Sequence, residues 1–92
     1  MPQVIKIGPY VIYFGMDEGK PLEPIHVHVA EGVPRANATT VWLTQSGKAI
    51  LAARRSDIPA ADLRKLLRII EANVDEIRDK WLEYFDEIRY YC

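Results

Sequence analysis

The chain has 92 residues, with twelve Lys and Arg against thirteen Asp and Glu, for a formal net charge of −1. That length suits one small domain, 1–92, and the near-neutral balance excludes a simple polycationic nucleic-acid binder. Apolar residues at 49% and charged residues at 27% exclude a disordered composition, and no apolar run approaches the roughly 18–20 residues that span a bilayer.

Residues 1–44 read as the sheet-forming half. The start, Met1-Pro2-Gln3-Val4-Ile5-Lys6, lacks the charged opening and long apolar stretch of a signal peptide. Val4–Ile7 and Tyr10–Phe14 are strand-type runs joined by the turn dipeptide Gly8-Pro9, which predicts a hairpin. The polar stretch from Gly15 to Pro24 reads as a loop. Ile25-His26-Val27-His28-Val29 alternates strictly, so Ile25, Val27 and Val29 share one face while His26 and His28 share the other. Glu31-Gly32-Val33-Pro34 predicts a turn, and Ala38–Leu43 a fourth strand. Lys48–Ala52 fits either a fifth short strand or a turn of helix.

Residues 57–89 read as the helical half. Leu63, Leu66, Leu67, Ile70, Val74, Ile77, Trp81, Tyr84, Phe85 and Ile88 recur at steps of three and four. Ser56 or Asp57 can cap the start, and Pro59 suits the first turn. The apolar phase runs through Asn73 unbroken, as one helix would, but the charges favour two. Lys48–Ile70 has six basic and two acidic residues, and Glu71–Cys92 has three basic and seven acidic. One continuous helix would set its basic half against the macrodipole. A break near Asn73 places Arg68 in the last turn of one helix and Asp75, Glu76 and Asp79 in or near the first turn of the next. Asn also tolerates a left-handed C-cap. The expectation is helices over about 59–72 and 75–89. The fold class is α+β: a small, mainly antiparallel sheet from residues 3–44, packed against two C-terminal helices.

Three features offer chemistry. His26 and His28, two residues apart on a strand, form half of a metal site, with Asp17, Glu18 and Glu23 as further ligands, or an acid–base pair for phosphodiester cleavage. The bland alternative is that both histidines lie on the wet face of a sheet. Arg54, Arg55, Arg64, Lys65 and Arg68 form a basic cluster that suits phosphates or the acidic second helix, if the two helices fold into a hairpin. Trp81, Tyr84 and Phe85 lie on the helical stripe and read as core, while Tyr90 and Tyr91 fall beyond it as surface for a partner or a second copy. Cys92, the one cysteine, reads as a free, frayed thiol in a reducing, cytoplasmic compartment. No phosphate loop or nucleophile elbow is present in the sequence, and no cofactor is implied beyond a divalent metal at His26 and His28.

Taken in order, Met1-Pro2, Asp17-Glu18-Gly19-Lys20-Pro21, Pro24, His26-Val27-His28-Val29, Trp42-Leu43 and Trp81-Leu82-Glu83-Tyr84-Phe85 resemble a small prokaryotic family of unknown function, number 4160 among such families. The family's usual Pro-Pro-His-x-His-Val is interrupted here by Leu22-Glu23 and by Ile25, and its usual Trp-Asn-Glu-Tyr-Phe has Leu82 in place of Asn. The resemblance implies a cytoplasmic protein encoded beside another short protein, in an arrangement like that of toxin–antitoxin pairs, and hence a protein partner. The functional expectation is a protein-interaction module of such a two-gene system, with Trp81, Tyr84, Tyr90, Tyr91, Arg54, Arg55 and Arg68 as binding residues. The alternative is a small ribonuclease or metal-dependent hydrolase using His26 and His28. A homodimer and nucleic acid are further partner classes, and a membrane is not expected.

Overall fold

The computed structural model describes residues 2–15, 23–35, 38–55 and 57–92. Five strands, β1 (Gln3–Ile7), β2 (Tyr10–Tyr13), β3 (His26–Glu31), β4 (Thr39–Leu43) and β5 (Ala49–Ala53), form one antiparallel meander in the order β1-β2-β3-β4-β5. Two helices follow, α1 (Ala60–Ala72) and α2 (Val74–Tyr84). The α+β expectation holds, and the open stretch at Lys48–Ala52 resolves as strand.

Local chemistry explains the first hairpin. Gly8 takes φ +55, and proline locks the next residue near −65°. A positive φ followed by a negative one is the type II′ pattern, whose twist matches paired strands. Gly47, at φ +88, serves the β4–β5 turn, where Thr44 N–H donates to Lys48 O at 2.8 Å.

The helices cover one face of the sheet. Ile12, Phe14, Val27, Val29, Val41 and Leu43 meet Leu63, Leu66, Ile70, Ile77 and Trp81 in one buried core. A smaller cluster, Val11, Tyr13, Ala30 and Ala38, is buried on the other face. Tyr13 pins the following segment there, because its hydroxyl donates to Arg35 O and accepts from Arg35 N–H at 3.1 Å.

The helical layer breaks at Asn73, as its charges predict, but by a different device. Asn73 sits at φ −113, ψ 20 rather than in the left-handed region. Its side-chain amide donates to Ile69 O at 2.8 Å, and its backbone N–H is shared between Ile69 O and Ile70 O, both at 3.1 Å. Two carbonyls that a helix end would orphan are thereby satisfied. Asp75 and Glu76 lie in the first turn of α2, but Arg68 stops short of the last turn of α1. At the start of α1 the N-cap is Pro59, with no side-chain cap bond, so Asp57 does not cap, and Ser56 lies outside the described residues. One residue, Asn73, joins the two helices, shorter than the roughly 2–5-residue loop that an αα-hairpin needs, so no hairpin folds the basic cluster of α1 back along α2.

The second helix ends five residues earlier than its apolar period suggests. Phe85 is extended, at φ −132, ψ 150, and residues 85–92 run as an irregular tail. The reason is tertiary. Trp81 is fully buried, and its indole N–H needs an acceptor. Glu87 O supplies it at 2.9 Å. The tail also delivers Arg89 O to Ile25 N–H at 2.7 Å and Cys92 O to Gln45 N–H at 2.9 Å. Cys92 is thus an exposed free thiol, but its backbone is tied down rather than frayed.

Removing the indole opens a cavity and also deprives the tail of its anchor. Trp81→Ala should cost about 3–5 kcal/mol. Urea denaturation followed by far-UV circular dichroism checks this, and a loss below about 1 kcal/mol would contradict the role given to Trp81.

Candidate functional site

The pairing register decides which side chains accompany the two histidines. His26 faces Trp42, His28 faces Thr40 on one side and Tyr13 on the other, and cross-strand partners share a face. The sheet face opposite the helices therefore gathers Tyr13, His26, His28, Thr40 and Trp42.

His26 is closed in, with only 3% of its surface exposed. Its Nδ1–H donates to Pro24 O at 2.7 Å, which puts the lone pair of the neutral ring on Nε2. Glu23 Oε2 lies 3.7 Å from that Nε2, a contact that is ionic only when the ring is protonated. The ring centroid is 5.1 Å from His28, 5.3 Å from Trp42 and 5.9 Å from Trp81. His26 therefore packs against the sheet and the helical layer at once. His28 is half-buried. Its Nδ1 lies 3.2 Å from Thr40 Oγ1, and its ring centroid lies 5.5 Å from Tyr13. The two histidines do share a face, as the alternation predicts, but the face is aromatic and largely covered rather than flat and wet.

The tail completes the cluster. Tyr91 stacks on Trp42 at 5.2 Å with the planes 9° apart, and remains 66% exposed on its outer side. Tyr90 is half-buried against the core, under the Arg78 guanidinium at 5.6 Å. Arg78 also reaches Gln45 O at 3.1 Å and Asp75 Oδ1 at 3.3 Å, so it clamps the tail to the β4–β5 turn.

The predicted binding residues do not form one patch. Trp81 is core. Tyr84, expected to pack inward, is 56% exposed, because α2 ends there and its ring only edges Phe14 at 6.3 Å. Arg54, Arg55 and Arg68 are exposed beside β5 and on α1, and Arg54 Nη2 donates to Ile58 O at 2.6 Å. Of the metal-ligand candidates, Asp17 and Glu18 lie outside the described residues. Among the described residues no group of three His, Cys, Asp or Glu side chains comes together. Sequence reasoning missed Tyr13 and Trp42 as partners of the histidines. Each has the right parity in its own strand, but only the register sets them beside His28 and His26.

A concave cleft lies elsewhere, between the β1–β2 turn and α1. It has a volume of about 200 Å³ and is lined mainly by Ile7, Pro9, Leu66 and Ile69, with Tyr10 and Asp62. Tyr10 Oη donates to Asp62 Oδ2 at 2.8 Å. That hydrogen bond, with burial and the nearby carboxylate charge, pushes the Tyr10 phenol up to about 12.

The folded protein thus holds the Tyr10 proton to about pH 12, whereas an unfolded tyrosine releases it near about 10. The stability from this pair is complete below about pH 10 and is lost as pH rises toward 12. Denaturation midpoints compared between pH 9 and 12 should fall for the parent protein. Tyr10→Phe should remove that part of the slope, and an unchanged slope would contradict the pairing.

The family model described as "Domain of unknown function (DUF4160)" matches residues 10–82. No curated protein and no solved structure matches the chain. The match extends from β2 almost to the end of α2, and the chain belongs to that family.

Proposed function

We propose that this member of the DUF4160 family is a protein-interaction module of a prokaryotic two-gene system of the toxin–antitoxin kind, working in the cytoplasm. The observation that supports this reading most is the distribution of exposed apolar side chains. Ile50 and Leu51 are 42% and 38% exposed on β5, an edge strand without a charged residue. Native edges are usually blunted by charge, proline, a bulge or cover. β5 has a register irregularity between Leu51 and Ala53 and the Glu71 contact at Ala49, but no charge or proline within it, which leaves its apolar side chains open to a partner. Leu82 and Tyr84 add exposed apolar surface on α2. The charge split adds to this, with a basic surplus over residues 48–70 and an acidic surplus over 71–92. No described helix is long and apolar enough to cross a membrane.

A second reading, a small ribonuclease or metal-dependent hydrolase using His26 and His28, draws on one feature. Pro24 O orients the His26 ring through Nδ1, as carbonyls often do for ligating and basic histidines. Its weakness is the burial of His26, which leaves little room for a substrate.

Co-expression with the product of the adjacent gene tests the first reading. A stoichiometric complex on size exclusion, with a raised melting temperature, is expected. His28→Ala should leave that complex and any growth effect intact, while His26→Ala should destabilise the fold by about 1–3 kcal/mol. Absence of a complex would overturn the interaction reading. RNA cleavage or Zn²⁺ binding abolished by both histidine variants would favour the hydrolase.

A further inference from the structure

The β5 edge has a defined pattern of backbone groups. Thr44 N–H bonds Lys48 O, and β4 then pairs Leu43 with Ala49, Trp42 with Ile50 and Val41 with Leu51. Hydrogen-bonded and non-hydrogen-bonded pairs alternate along an antiparallel ladder. Ala49 and Leu51 therefore turn their peptide groups away from β4. The Ala49 N–H confirms the phase, since it donates outward to Glu71 Oε1 on α1, at a long 3.4 Å. The side chains on either side of this edge are Ile50 and Leu51, both partly exposed. Each edge strand has one register irregularity, near Gln3 and Ile5 in β1 and between Leu51 and Ala53 in β5, but only β1 has a charged residue, Lys6, within the strand, which discourages strand addition.

Charge favours one occupant. Lys48 precedes β5, Arg54 and Arg55 follow it, and all three are exposed. A second copy of β5 paired antiparallel about Leu51 would set Lys48 opposite Arg54 of the other copy at both ends. Like charges directly opposite destabilise a strand pair. A strand with carboxylates at both ends meets the opposite situation.

We infer that β5 is a strand-addition site for an extended, apolar segment of a partner protein that has acidic residues at both ends. The inference rests on the interaction reading and supplies the surface and the chemistry of the partner. The added strand becomes the sixth of the sheet. Its N–H and C=O groups pair with those of Leu51, and one of its carbonyls replaces Glu71 at the Ala49 N–H with a shorter bond. Its apolar side chains cover Ile50 and Leu51, and its terminal carboxylates meet Lys48, Arg54 and Arg55. Main-chain bonds give such complexes affinity, and the flanking side chains give them direction and selectivity.

Two capped nonapeptides test this, Asp-Glu-Val-Thr-Val-Thr-Val-Glu-Asp and its counterpart with Lys at the four acidic positions. Each is titrated into the full chain and followed by amide NMR and hydrogen exchange. The acidic peptide should bind at least about tenfold tighter than the basic one and should protect the Ala49 and Leu51 amides. Lys48→Glu combined with Arg55→Glu should reverse the preference. Leu51→Pro removes an outward N–H at an edge position where proline is tolerated, so it should abolish binding while the melting transition persists. If Leu51→Pro fails to fold, the charge-reversal pair decides alone. Equal affinity for both peptides, amide changes centred on α2, or Leu51 protection arising from self-association without peptide would each overturn the proposal. An adjacent-gene complex that survives the charge reversal would also overturn it, yet leave the interaction reading standing. Peptide binding without any such complex would do the reverse.

Discussion

The junction around Trp81 holds the two halves of the molecule together. Its indole is packed edge-on to Phe14 at 5.2 Å and against Phe85 at 4.3 Å, with His26 on another side. A buried indole N–H without an acceptor is costly, and the acceptor it finds is Glu87 O. The chain must leave the helix after Tyr84 for that carbonyl to turn back toward Trp81. Once extended, it reaches Ile25 and Gln45 by main-chain bonds and lays Tyr91 on Trp42. One polar group in the core thus determines where α2 stops and what covers that end of the sheet.

The same junction alters the standing of the histidines. A metal or acid–base site needs ring nitrogens that a ligand can reach. His26 instead lies between Trp42 and Trp81, held by a carbonyl two residues before it. His28 is more open, but it lies between Tyr13 and Thr40. The pair reads first as a packed seam between sheet, tail and helix. Exposed apolar surface lies on the β5 edge and at the end of α2, besides Val33 and the outer side of Tyr91.

Charge is distributed to match that geometry. The basic surplus belongs to the segment made of β5, the connection after it and α1, and the acidic surplus to α2 and the tail. Because the helices do not fold back on one another, the two surpluses are not consumed in mutual ion pairs. Among the described residues, the Arg–carboxylate pairs are local, Arg78 with Asp75 and Arg89 with Glu87. Exposed pairs of that kind add little to stability. Fields left unpaired over a surface instead act on encounter and on the choice of partner.

By itself the sequence determined what depends on local period and local conformation. The alternation of Ile25–Val29 put His26 and His28 on one face, Gly8-Pro9 made a hairpin, and the opposed charges on either side of Asn73 marked the helix break. These are short-range consequences of side-chain geometry and backbone sterics. Tertiary structure decided the rest. The meander register placed Tyr13 and Trp42 beside the histidines, and the lack of a helical hairpin kept Arg68 away from α2. The needs of Trp81 and Ile25 for main-chain acceptors drew residues 85–92 out of a helical pattern that their apolar spacing supports. A periodicity shows which side of a segment is apolar. Whether the segment stays helical depends on hydrogen-bond partners supplied by residues distant in the chain.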